Sequence, residues 1–446
     1  MSHYRAERTP MHRGPAGWEA ILPPQSAGPR LDDALTADFV VVGAGFAGLS
    51  AARRLSELSP TSRIVVLEAG QIAHSTAGRN SGFMIDLPHD LASDNYAGAG
   101  DDRAVITLNR YAQEFAAKAV AEYGIDPNFF DRAGKINGAA SAVAHGHNET
   151  YARHLASLGE PSEMLDARAM QDITGSGHYL SGLYTPGTVM LQPAGYIRGL
   201  ADGLRRDGVQ IYENSAVTGF LRRGPGWQVN TTHGSVTTDT VILGVNGHLE
   251  SFGIARGTLM HLFLFATMTP ELDTQALAKL GGRSRWGITP SDPMGTTMRR
   301  IDTGQGGNRI ITRTCAALRS GMVATPADLK RAAAVMQRKF DIRFPQMAGM
   351  SMQYTWAGHL CMTKNVVSVT RQIDDGVFSA CVQNGLGTAR GTLTGIAAAE
   401  MATGTITPTA QFFAHEPDPK PIAPQPVRDI GANVFLRWRE WCARAD

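Results

Sequence analysis

The chain has 446 residues, and its 42 Lys and Arg against 40 Asp and Glu exclude a protein built mainly to neutralise nucleic-acid phosphates. An apolar content of 43% excludes disorder, and the length calls for two or more domains because single cores stop growing near roughly 250–300 residues. Four cysteines without a CxxC pair, a polar start and no apolar run of ~18 residues point to a cytoplasmic protein with no disulfide framework, signal peptide or transmembrane segment.

Residues 1–36 carry five prolines and little periodicity, which predicts an irregular arm. DFVVVGAG (38–45) is a β-branched run ending in glycines, the pattern of a buried parallel strand. FAGLSAARRLSEL (46–58) places Leu49, Ala52, Leu55 and Leu58 on one helical stripe. RIVVLEAG (63–70) reads as a second buried strand, completing a strand–helix–strand unit. Residues 71–100 are rich in Gly, Ser and Asn and read as a long loop, a feature that is usually functional inside a compact domain.

Residues 101–124 predict one long helix, with Asp101 as N-cap and Gly124 as its stop. A helix over 193–208 opens with Pro193. Short strands follow at 209–214, 216–223 and 226–232, a small meander leading back to a buried strand at 240–247. Further strands are expected at 261–270, 296–302 and 308–314, then a helix at 326–340. Strands at 352–360, 365–370 and 376–382 precede a Gly/Ala-rich helix at 387–404. The tail VFLRWREWCARAD predicts a surface helix docked by Phe435, Trp438 and Trp441.

Gly43-Ala44-Gly45-Phe46-Ala47-Gly48 is a GxGxxG sequence, placed after a strand and at the start of a helix, with Glu68 closing the next strand. The first glycine permits a tight turn, the second lets backbone approach a pyrophosphate, and the third lets helix pack on strand. The helix N-terminus then offers free N–H groups to the anion. Glu68 would accept from ribose hydroxyls and disfavours a 2′-phosphate, so FAD or NAD fits better than NADP. The loop AGQIAHSTAGRNSGF (69–83) favours FAD, because a NAD dehydrogenase would continue with regular αβ units.

With these residues in view, the chain resembles the D-amino-acid oxidase superfamily of FAD-dependent oxidoreductases. It is most similar to the branch holding γ-glutamylputrescine oxidoreductase, with sarcosine and glycine oxidases more distant. The resemblance rests on VVVGAGFAGLSAARRL, the EAG after the second strand, GRNSG (78–82) and WAGHL…FSACVQNGLGTARGTLTGIAAAE. It implies an α/β fold: a Rossmann-like FAD-binding domain beside an α+β substrate domain on an antiparallel sheet. The expected division is 1–36 as arm, 37–90, 185–255 and 350–420 as FAD-binding domain, 91–184 and 256–349 as substrate domain, and 421–446 as tail.

The resemblance also implies the cofactor contacts. Gly43, Ala44, Gly45, Phe46, Ala47 and Gly48 should meet the pyrophosphate, and Glu68 with Ala69 the ribose. Thr76, Ala77, Gly78, Arg79, Asn80, Ser81 and Gly82 should run along the flavin. Val217 should reach the adenine through its backbone, and Val245, Asn246 and Gly247 should close over the diphosphate. Gly358, Asn384, Gly385, Leu386, Gly387 and Thr388 should face the flavin ring. The last segment has a physical reason of its own, since it opens a helix whose positive end would stabilise charge on the reduced ring. Non-covalent FAD is expected. Cys361 lies near where sarcosine oxidases attach flavin, yet a buried apolar cysteine is the default. The chain departs from many relatives in reading Asn384-Gly385-Leu386-Gly387 where they carry Ser-Gly-His-Gly.

The activity implied is oxidation of a C–N bond in a small amine or amino acid, by hydride transfer to flavin N5 and hydrolysis of the imine. Oxygen or another acceptor would reoxidise the cofactor. Catalytic candidates are Arg79 beside the flavin, Arg299 or Arg300 as a carboxylate clamp, and His359 as a pocket group. The alternatives are a flavin 2-hydroxy acid dehydrogenase using His359 as base, an NAD(P)H-dependent flavin monooxygenase, and a non-catalytic flavoprotein subunit. His145 and His147 form an HxH pair without partner carboxylates, and no metal is expected.

Overall fold

A computed structural model describes residues 3–88, 93, 98, 100–292 and 294–446. Within the long loop at 71–100, residues 89–92, 94–97 and 99 lie outside the described residues, as do the expected domain limits at 90 and 91.

Ala34–Val42 carries the β-branched run, and Val40 and Val41 are completely buried. It pairs in parallel with Ile64–Leu67 on one side and Ser235–Leu243 on the other. Gln210–Tyr212 extends this sheet in parallel, and Val377–Cys381 pairs in parallel with Ser235–Leu243. Val217–Arg223 and Gly226–Thr231 form the expected meander, and His3–Arg5 from the arm adds an antiparallel edge. Among the described residues this sheet has nine strands.

The helices Phe46–Leu58 and Ala389–Ala402 lie on the sheet and against each other. Small residues allow the approach: a Cβ on Gly395 would overlap the Ala47 carbonyl oxygen, and one on Gly48 would overlap that of Gly43. The helix Asp102–Tyr123 packs alongside, capped as expected by Asp101, which accepts from the N–H groups of Arg103 and Ala104, and ended by left-handed Gly124.

A second sheet runs in the order Tyr354–Thr363, Leu259–Met268, Arg309–Leu318, Thr297–Ile301, Trp286–Pro290, Lys135–Ala139, Ser181–Thr185 and Glu163–Asp166. Its pairings are antiparallel except between Trp286–Pro290 and Lys135–Ala139. The two sheets draw on interleaved stretches of chain. Among the described residues no helix is long and apolar enough to cross a membrane.

Two expectations are corrected. The Gly/Ala-rich helix, expected from 387, starts at Ala389 with Thr388 as N-cap, so Gly387 lies before the helix. The C-terminal helix Val427–Cys442 does not dock through its aromatic residues: Phe435, Trp438 and Trp441 are all more than half exposed. It docks through polar side chains on a free strand edge. Asn433 accepts from the N–H of Leu318 and donates to its carbonyl, both at 3.1 Å. Glu440 accepts from the Ala316 N–H at 2.9 Å, and Arg437 donates to the Ala316 carbonyl at 2.9 Å. Thr297–Ile301 covers only 309–313 of the strand Arg309–Leu318, so the edge beyond needs these partners.

Candidate functional site

The strand Ala34–Val42 delivers the chain into a turn at Gly43, whose φ of +98° suits glycine and where a Cβ would sit 2.7 Å from the Gly244 carbonyl oxygen. Gly45 is the N-cap of Phe46–Leu58 and no side chain caps that end. Its first N–H groups are thus left for a ligand. A Cβ on Gly45 would meet only Ala77, at 3.7 Å, so the backbone here faces open space. Glu68 accepts from the N–H of Ala44 at 2.9 Å and of Gly70 at 3.1 Å. Burial pushes its carboxyl up and the N–H donors pull it back, with a net rise.

These residues line a cavity of about 510 Å³, within the range of cofactor sites. Ala69, Thr76, Ala77, Asn80, Val217, Val245, Asn246 and Gly387 line it as well. His359 lies where this cavity meets a second of about 120 Å³, which Arg79, Ser81, Gly358 and Gly385 also line. A third, of about 220 Å³, shares Ser81, Asn384, Gly385 and Arg313 with the second and adds Leu386 and Thr388. The three form one chain of cavities running from the GxGxxG turn to the second sheet.

The loop between is held by a web of donors. Arg79 donates to the carbonyls of His74 (2.8 Å), Gly14 (2.9 Å), Ala357 (3.2 Å) and Arg13 (3.3 Å). Burial lowers its guanidinium to about 10. Fully buried Trp18 donates to the Asn80 carbonyl at 2.8 Å, so the arm pins this loop. His359 shares a hydrogen bond at 3.2 Å with Nδ1 of His261, whose Nε2 meets Glu250 at 2.9 Å. Burial holds His359 well below the usual imidazole range.

A model of the FAD dependent oxidoreductase (DAO) family matches residues 38–401. The chain belongs to that family. It is 26% identical over 379 residues to a probable oxidoreductase OrdL of Haemophilus influenzae, covering 81% of each chain. It is 30% identical over 226 residues to the gamma-glutamylputrescine oxidoreductase of Escherichia coli K12, covering 49% of this chain and 51% of that protein. Its fold matches that of glycine oxidase from Geobacillus kaustophilus with a TM-score of 0.69 at 15% identity, over 86% of this chain and all of the other.

The residues present fit the family's FAD. The Gly45 backbone leaves open room on the cavity, Glu68 offers its carboxylate to the same cavity, and Asn246 carries a buried Oδ1 without a hydrogen-bond partner beside the first two cavities. Other members of the expected set act by packing. Gly48, Gly78, Gly82 and Gly247 are tight backbone approaches: a Cβ on them would overlap Gly43, Ala73, Arg299 or Cys361. The Asn384 side chain turns away from the cleft, accepting from the Thr363 N–H at 2.8 Å and donating to the Val367 carbonyl at 2.8 Å.

The expected clamp of Arg299 or Arg300 is corrected. The two do face opposite sides of their strand, but neither lines the cavities. Arg299 donates to the carbonyls of Ser81 (3.3 Å) and Leu191 (2.6 Å) and to Gln305 (3.2 Å), under the rings of Trp18 and Phe83. Arg300 donates to the Gly281 carbonyl. The residue missed is Arg313, in the strand Arg309–Leu318. It lines the second and third cavities and has one long contact, 3.5 Å to Thr297 Oγ1. Burial lowers it to about 10, so it stays charged at neutral pH. His145 and His147 bond separately, to Ser181 and to the Ser291 carbonyl.

Proposed function

We propose that this FAD-dependent oxidoreductase oxidises the C–N bond of a small amino acid. The hydrogen on the carbon beside nitrogen leaves with its electron pair, the nitrogen lone pair forms the imine, and water hydrolyses that to an oxo acid and ammonia. The observation that carries this reading is Arg313, a cation in the cleft whose guanidinium is almost unengaged. Such a group recognises a carboxylate through paired charge-assisted bonds. Bound FAD supplies the two-electron acceptor, and oxygen or another acceptor takes the pair onward.

The chain's own residues bind and position. Gly43 to Ala47 would meet the pyrophosphate, with Val245 and Asn246 closing over it, Glu68 the ribose, and Thr76 to Ser81, Gly358 and 384–388 the flavin. FAD would be held without a covalent bond, because burial keeps the Cys361 thiol protonated. Residues 37–90, 185–255 and 364–420 would form the FAD-binding part, and 91–184 with 256–363 the substrate part, because the strand Tyr354–Thr363 lies in the second sheet and not, as expected, with the first. The amine must be neutral to react. No Asp or Glu lines the second or third cavity among the described residues, so nothing there holds an ammonium form. A 2-hydroxy acid would instead need a base for its hydroxyl proton, and His359 has its Nε2 engaged by His261 and a depressed basicity. That favours the amine.

The test is anaerobic addition of amines, amino acids and hydroxy acids to the FAD-loaded protein, read by bleaching of the flavin band. Amino acids should bleach it. Arg313→Met should weaken their binding roughly 10- to 100-fold. Bleaching by hydroxy acids alone, or unchanged binding in the variant, would refute the proposal.

A further inference from the structure

The third cavity changes character away from Arg313. Leu262 and Leu264 come from one strand, Leu360 and Met362 from its neighbour, and Met294 and Leu436 close the far side. Arg313 is the one charged side chain lining it among the described residues. Of its threonine hydroxyls, Thr289 donates to Asn137 at 3.0 Å, Thr314 to the Gly295 carbonyl at 3.3 Å and Thr388 to the Phe83 carbonyl at 2.7 Å, while that of Thr297 accepts from Arg313 at 3.5 Å. Apart from Thr297 and Ser81, which line the cavity with Arg313, a polar or charged group entering here would lose water and find little to bond to. An apolar group would gain with each methylene buried.

Leu436 belongs to the helix Val427–Cys442, outside the 38–401 span that matches the family. The bonds of Asn433, Arg437 and Glu440 to the 316–318 strand edge set that helix in register, and Leu436 enters the cavity between them. The wall is therefore made by a part of the chain outside the span that the family model matches.

We infer that this cavity receives the apolar side chain of an amino-acid substrate and that Leu436 of the C-terminal helix sets the length and polarity it accepts. The inference rests on the amino-acid reading above. With the carboxylate on Arg313, the side chain points toward Leu436, and acidic or basic side chains are rejected for want of a partner.

The test uses unreactive ligands with the FAD-loaded protein, read as the perturbation of flavin absorbance on binding. Acetate, butanoate and hexanoate form one series; 6-aminohexanoate and hexanedioate carry a second charge; hexanamide lacks the carboxylate. Affinity should rise about fourfold per methylene along the first series and fall at least tenfold for the doubly charged chains. Leu436→Glu should cost hexanoate at least tenfold, leave acetate unchanged and improve 6-aminohexanoate. Leu436→Ala, with FAD content and thermal unfolding as controls, should flatten the chain-length gain at its long end. No chain-length dependence, or hexanedioate binding as well as hexanoate, overturns this inference and leaves the carboxylate reading standing. Hexanamide binding as tightly as hexanoate, with chain length still favoured, overturns the role of Arg313 instead.

Discussion

Replacing Arg79 by Met should release FAD and loosen the fold together. The guanidinium joins three parts of the chain: its own loop at His74, the arm at Arg13 and Gly14, and the strand Tyr354–Thr363 at Ala357. Three of these acceptors lie in partly buried surroundings, and since the Arg13 carbonyl also accepts from the Ala357 N–H at 2.9 Å, the Gly14 and Ala357 carbonyls are the two that lose their partner. Leaving a buried acceptor unsatisfied costs about 1–3 kcal/mol, so the pair gives roughly 2–6 kcal/mol. The Met side chain recovers part of the packing and none of the hydrogen bonds. Because the same loop lines the first two cavities, that loss appears as weaker FAD binding as well as lower thermal stability. The assay is FAD retention through gel filtration, with thermal unfolding of the apo and loaded forms. Arg79→Lys keeps the charge but not the planar fork, and should fall between. An Arg79→Met protein that holds FAD and unfolds like the wild type would refute the staple. Normal FAD binding with loss of flavin reduction alone would move Arg79 to the reacting atoms.

Gly395→Ala places a Cβ against the Ala47 carbonyl and should destabilise by about 1–3 kcal/mol through overpacking. It should also weaken FAD, since Ala47 lies in the first turn at the anion site; unchanged FAD affinity would show that turn to be independent of the helix beneath it. Acid should act on the same region. His12 is lowered to about 3, His248 to about 4 and His359 well below 6.5, mainly by burial. The folded form therefore binds fewer protons than the unfolded one below pH 6.5. Stability that is complete above that value falls as pH drops toward 4, by up to ~1.4 kcal/mol per pH unit per histidine. Unfolding temperature should drop between pH 7 and pH 5 and FAD should appear free in solution; a flat profile, or flavin that stays with the acid-precipitated chain, would contradict this.

What could be read from sequence was local. The β-branched run 38–42, the glycines at 43, 45 and 48 and Glu68 sit within one strand–helix–strand unit, and their places in it follow from spacing alone. The long helix ends were legible for the same reason, Asp101 and Gly124 being signals contained in a few residues. The region 130–185 was not legible. Lys135–Ala139 reads KINGA and Ser181–Thr185 reads SGLYT, strands with little β-branched content that become strands because they pair with each other and with distant Trp286–Pro290. The helix Ala142–Leu158 carries an internal glycine and three histidines in place of a clean apolar stripe.

The arginines show the limit most sharply. Arg299 and Arg300 stood out as adjacent charges on a strand, yet burial forces each to satisfy itself on carbonyls within reach. Arg313 lay in NRIITRT without distinction. Its freedom arises from what ends beside it: the strand Thr297–Ile301 stops pairing at Arg313, and past that point the edge belongs to the C-terminal helix. Amphipathic pattern assigned that helix's Trp and Phe face to the protein, because apolar contact is the usual reason for docking. A bare strand edge demands donors and acceptors first, so Asn433, Arg437 and Glu440 face inward and the aromatic face is left outside. The charge that would hold a substrate and the leucine that would limit it are thus brought together by backbone hydrogen-bonding need, which no spacing within either segment encodes.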